Sequence, residues 1–166
     1  MKTSELLIDA HSRIKEVVHA VAAGLDDKML ATRPGPSANS IAWLVWHLTR
    51  VQDDHLADAG GYEQVYTADC WHEQLGLPLD AADTGYAHTP DQVELVKLNA
   101  DQLVGYYDAV HARTVGFLRL MSDDDLDRIV DRRWDPPVTL GVRLVSVIDD
   151  CAQHAGQAAY VKGLLS

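Results

Sequence analysis

The sequence predicts an all-α protein folded as a four-helix bundle. Three observations carry this. Four long stretches repeat apolar residues every three or four positions, no stretch sustains strand-type alternation, and the composition is that of a packed chain, 47% hydrophobic and 23% charged. The 166 residues are read as a single domain, 1–166, long enough to bury a core.

The first helix is expected from about Ser4, its N-cap, to Lys28, with Leu7, Ala10, Ile14, Val17, Val21 and Leu25 as its stripe. "TRPGPSANS" stops it, because two prolines and a glycine cannot continue a helix. The second begins after Asn39 or Ser40 and runs to about Asp58, where "AGG" ends it. Its stripe is Ile41, Leu44, Leu48 and Val51. Residues 60–89 are the least regular, with room for one short helix in "YEQVYTADCWHEQ". The third helix opens at "TPDQVE", with Thr89 as cap and Pro90 in the first turn, and extends to Met121 with Val96 and Leu103 facing inward. "SDDDLD" suits a further short turn, and "RRWDPPVT" breaks the chain. Thr139 caps a fourth helix to about Leu165.

The net charge of −11 argues against a nucleic-acid backbone or an anionic membrane surface as partner. No apolar run has transmembrane length, and the first residues mix acids into a helical period where a signal peptide would be apolar. Two cysteines, Cys70 and Cys151, make no disulfide framework, so the expected location is cytoplasmic. Glycine fingerprints for nucleotides, serine-hydrolase elbows and zinc-finger spacings are all missing from the chain.

The stretch with chemical content is "DDCAQHAGQAAY". Asp150 and His154 are one turn apart at a margin of the fourth helix's apolar stripe, so carboxylate and imidazole address a common point. On the second helix, "IAWLVWHLTRVQDDH" sets His47 beside its own stripe with Trp43 one turn earlier. Two imidazoles and a carboxylate with an open position form the ligand set of a catalytic zinc site, and also of non-haem iron. The competing reading is a hydrogen-bonded polar margin on two core helices.

Around these residues, Trp43 could wall the site and Gln157 could orient a ligand or touch substrate. Asp54 is two turns past His47, about 10.5 Å along the axis. It reads as a solvated acid that could also orient substrate or hold Arg50. Cys151 is an inert core thiol and Cys70, near His72, the accessible one. The histidines at 11, 19, 55, 88 and 111 show no paired spacing and read as surface or edge residues, His55 at the core margin.

"NSIAWLVWHLTRVQDDH" and, a hundred residues on, "TLGVRLVSVIDDCAQHAGQAAYVKG" resemble the DinB family of bacterial metal-binding four-helix bundles. The likeness is strongest to its branch of mycothiol-dependent maleylpyruvate isomerases and thiol S-transferases, and it covers most of the chain. It implies that His47, Asp150 and His154 bind one divalent metal, zinc ahead of nickel or iron. The chain departs from the family in one ligand: aspartate stands where histidine or glutamate is usual. The implied reaction is transfer or isomerisation on a small-molecule substrate, using a low-molecular-weight thiol as cosubstrate. The implied assembly includes a homodimer. The alternatives are a metal-dependent hydrolase on the same residues and a non-enzymatic bundle that binds a ligand or partner.

Overall fold

Four long helices pack around one core in the computed structural model, which describes residues 1–165. They are α1 (Thr3–Ala22), α3 (Ile41–Gly60), α7 (Ala100–Leu120) and α8 (Leu140–Leu165). Short helices α2 (Asp27–Ala31), α4 (Val65–Ala68), α5 (Trp71–Leu75) and α6 (Pro90–Val93) fill the connections. A 3₁₀ turn (Asp123–Asp127) leads into a small antiparallel hairpin of β1 (Ile129–Asp131) and β2 (Val138–Thr139). α1 packs on α7 and α8, and α3 packs on the same two, so α1 and α3 sit mainly across a diagonal.

The expected helices form, with corrected ends. α1 stops at Ala22 because Gly24 takes a left-handed conformation (φ 75°) and Asp26 caps a new helix, its carboxylate accepting the Met29 N–H at 2.7 Å. It starts at Thr3 with Lys2 as N-cap, two residues before the expected cap Ser4, and the Glu5 carboxylate accepts the Lys2 N–H at 2.9 Å. The third predicted helix is divided, since α6 ends at Val93 and α7 restarts at an Asn99 capping box closed by Gln102. Val96 is buried as expected, but from the link between them. Residues 60–89 hold two short helices rather than one, and the hairpin at 129–139 was not anticipated.

α3 is the most buried element. Ser40 caps it, its hydroxyl accepting the Trp43 N–H at 3.1 Å, and Gly61 closes it in a left-handed conformation (φ 67°). The α3–α8 pair is antiparallel: His55 meets Arg143 at one end, Leu48 meets Cys151 at the centre, and Leu44 meets Gln157 and Val161 at the other.

His11 corrects the expectation that the unpaired histidines lie at the surface, for it is fully buried between helices. Neither ring nitrogen has a hydrogen-bond partner among the described residues. Burial takes its pKa down to about 4, with the nearby His111 acting in the same direction and Gln52 opposing. The unfolded chain binds this proton near 6.5, so the unfolded state holds more protons between the two values. Stability therefore falls as pH drops from about 6.5 toward 4, by up to about 3 kcal/mol. Urea unfolding of metal-free protein at pH 7 and pH 5 measures this. His11→Phe should flatten the dependence, and an equal slope in both proteins would remove His11 as the cause.

Candidate metal centre

α3 and α8 bring three predicted residues together midway along their seam. One donor atom each from His47, Asp150 and His154 lies within 4.8 Å of the other two. The two imidazoles meet edge to face, with ring centroids 4.8 Å apart. His47 is 7% exposed and the other two are partly buried.

Both histidines are set in the same tautomer by an oxygen acceptor. The Nδ1–H of His47 donates to the Thr84 carbonyl at 2.5 Å, and that of His154 donates to the Gln157 side-chain oxygen at 2.8 Å. Each therefore leaves its Nε2 lone pair available, the arrangement in which imidazoles serve as ligands. Burial keeps the His47 pKa below its ordinary value, although the Thr84 bond pulls the other way. The neutral ring is thus the favoured form. Asp150 Oδ1 is 3.8 Å from His154 Nε2 and is buried with no hydrogen-bond partner among the described residues. A buried carboxylate oxygen without a donor, beside the His154 Nε2 lone pair, is the kind of polar atom a cation would satisfy.

Trp43 stacks its indole on His47 at 4.5 Å and 16°. Gln157 is the hydrogen-bond partner of His154. Asp54 stands apart. It accepts a hydrogen bond from Gln64 at 2.8 Å, and the acid that faces Arg50 is its neighbour Asp53, at 3.6 Å. Neither cysteine joins the cluster. Cys70 is exposed, while Cys151 is buried, donates to the Leu48 carbonyl at 3.4 Å and has its pKa raised by burial.

The seat of His47 is the 81–88 loop, which the sequence pattern did not single out. Gly85 packs directly under the imidazole: a Cβ there would stand 2.9 Å from His47 Nδ1 and 2.9 Å from the Trp46 ring, and φ is +87°. Only glycine meets both demands. His88, expected at an edge, is buried in this loop. Its Nε2–H donates to the Asp83 carboxylate at 2.9 Å and its Nδ1 accepts from the Trp43 indole N–H at 3.1 Å. Arg50, one turn past His47 and fully buried, donates to the Ala81 and Asp83 carbonyls at 3.1 Å each. It also donates to Gln64 at 2.8 Å and to the Tyr106 hydroxyl at 3.2 Å. An arginine in the middle of an apolar helix was the available signal, since a fully buried guanidinium has to find acceptors.

The crystal structure of a conserved protein from Enterococcus faecalis superposes with a TM-score of 0.92 at 31% identity, covering 99% of this chain and 98% of that one. No curated protein matches. The family described as mycothiol-S-transferase matches residues 7–166, nearly the whole length. The chain belongs to this family, a DinB-like family of helical bundles.

Proposed function

We propose that the protein is a metal-dependent S-transferase that joins a low-molecular-weight thiol, mycothiol first, to an electrophilic small molecule. The observation that carries the reading is the convergence of one donor atom each from His47, Asp150 and His154 within 4.8 Å, with Asp150 Oδ1 buried and unpartnered. Two ligands of a tetrahedral zinc are about 3.4 Å apart. Donors within 4.8 Å meet that geometry after side-chain shifts on the order of 1 Å, so the shorter aspartate reaches. Nitrogen and carboxylate donors suit zinc, with nickel or iron next.

Such a cation lowers the pKa of a thiol at the site and makes thiolate accessible at neutral pH. The protein's own groups do the rest. Thr84 and Gln157 fix the tautomers, burial keeps His47 neutral, and Trp43 closes one side against water. In the transfer a C–S bond forms, the leaving group departs with its bonding pair, and the thiol proton passes to solvent.

The test is consumption of 1-chloro-2,4-dinitrobenzene by zinc-loaded protein with and without mycothiol. Consumption that needs both protein and thiol is expected. Binding of zinc with no thiol-dependent rate across several electrophiles would overturn the reading. Ester hydrolysis without thiol would put a hydrolase in its place.

A further inference from the structure

Two cavities of opposite character lie along α3 on either side of the His47–Asp150–His154 cluster, one beyond Asp54 and one at Leu44. Toward the hairpin is a polar cleft of about 890 Å³, lined among others by Asp54, Asp58, Glu63, Gln64 and Arg132. Toward the α1–α3 connection is a smaller pocket of about 280 Å³, lined chiefly by Pro34, Ala38, Leu44, Tyr160 and Val161. We infer that the hydrophilic body of the thiol occupies the polar cleft and the electrophile's apolar skeleton occupies the small pocket, so that the two meet over the cluster from opposite ends. This inference rests on the S-transferase reading.

The distances suit it. Seven residues separate His47 from Asp54 on α3, and seven separate Asp150 from Arg143 on α8, whose guanidinium bonds His55 at the cleft wall. Because the helices are antiparallel, both offsets point the same way and place the cleft about 10 Å from the cluster. That span accommodates a thiol whose sulfur is carried at one end of a long body. In the other direction, Leu44 and Gln157 are each three residues from a cluster histidine, about 4.5 Å along the axis. An electrophile held there keeps its reactive carbon near the sulfur.

The linings suit it as well. The cleft interleaves carboxylates with guanidinium, amide and hydroxyl groups, and hydroxyls of a ligand both donate and accept. Asp131 is already shared by Arg133 and Arg143 at 2.8 and 3.1 Å. The remaining acids, Asp54, Asp58, Glu63 and Asp80, then outnumber Arg132 and Arg133. The cleft therefore favours a neutral polyhydroxylated body and disfavours a net-anionic one such as glutathione, with two carboxylates to one ammonium. An apolar cavity of about 150 Å³ already takes benzene, so the small pocket has room for a substituted ring.

The experiment is two-substrate kinetics on zinc-loaded protein with mycothiol and 1-chloro-2,4-dinitrobenzene. Sulfur bonds the ring carbon, chloride leaves with the C–Cl pair and the thiol proton goes to buffer. Asp58→Ala with Arg132→Ala changes two exposed residues of the cleft. This variant should raise KM for mycothiol about tenfold and leave KM for the electrophile and kcat unchanged. Tyr160→Ala should do the reverse. Calorimetry provides a readout independent of turnover: the cleft variant should weaken mycothiol binding by the same factor and leave N-acetylcysteine, which has no such body, unaffected. Wild-type turnover with KM values that fail to separate, or that separate the other way, would overturn the seam assignment alone. A wild-type protein that neither binds nor consumes mycothiol would overturn the S-transferase reading and the assignment together.

Discussion

His154→Ala, purified without a histidine tag or chelator, is expected to come out free of divalent metal, whereas the unmutated protein, on the proposed reading, retains it. The imidazole is one of the two nitrogen donors of the candidate set. Gln157 offers an amide oxygen already turned toward His154 Nδ1, and Asp150 is itself a donor of the set. Perturbing groups that merely orient a metal ligand typically costs about 10–100-fold in affinity. Losing the ligand should exceed that, so a fall of more than about 100-fold is expected, measured by elemental analysis and by competition with a chromophoric chelator. Gln157→Leu forms the graded control. It leaves Nε2 in place, frees the tautomer, and should stay within the 10–100-fold range. His154 is only partly buried at the edge of the seam, so its loss should leave helical circular dichroism unchanged. Full metal content in His154→Ala would end the metal-centre reading. The orphaned Asp150 oxygen would then belong to a polar margin between two core helices.

The long helices and the convergence of His47, Asp150 and His154 were legible because each is written in side chains at helical spacing. Ser40, Thr139 and the glycines after Asp58 marked ends that the structure keeps. The division between α6 and α7 was hidden because Val93, Val96 and Leu98 stay buried across it and mimic a continuous apolar phase. The signal that outweighs them is local, Asn99 with Gln102 three residues on. The seat of His47 was illegible for a different reason. Thr84, Asp83 and Ala81 act through backbone carbonyls, which no residue type announces. His88 looked peripheral because the carboxylate that satisfies it, Asp83, belongs to an irregular loop and not to a helix period. Spacing singled out His47, Asp150 and His154 as a candidate ligand set beside a polar-margin reading, and the family resemblance implied both the metal and the thiol chemistry.

Arg50→Met should be the most destabilising substitution near the site, and it separates two roles of one side chain. The guanidinium is fully buried, stacks over Tyr66 at 4.1 Å and lies 3.6 Å from the Asp53 carboxylate. Burial already raises the Asp53 pKa, against the Val65 and Tyr66 N–H groups, the Tyr106 hydroxyl and Arg50 itself, which all favour the charged form. Methionine fills similar volume yet leaves that carboxylate without its counter-charge, and breaking a buried pair in this way costs about 3–5 kcal/mol. For a chain of this size the Tm should fall by roughly 10 °C. The second role concerns the loop. Without Arg50 the Ala81 and Asp83 carbonyls lose their donor, and Thr84, next along the chain, no longer presents a fixed acceptor to His47 Nδ1. Zinc affinity should then fall about 10–100-fold, as for other groups that orient a ligand. Asp53→Asn in the same background should recover part of the stability by removing the stranded charge, and none of the affinity. Arg50→Lys should hold the charge but lose the fork that spans both carbonyls, so it should rescue stability more than metal binding. If stability and affinity instead recover together in the double variant, the loop is held by the Arg50–Asp53 pair as a unit, and the carbonyl bonds are secondary to it.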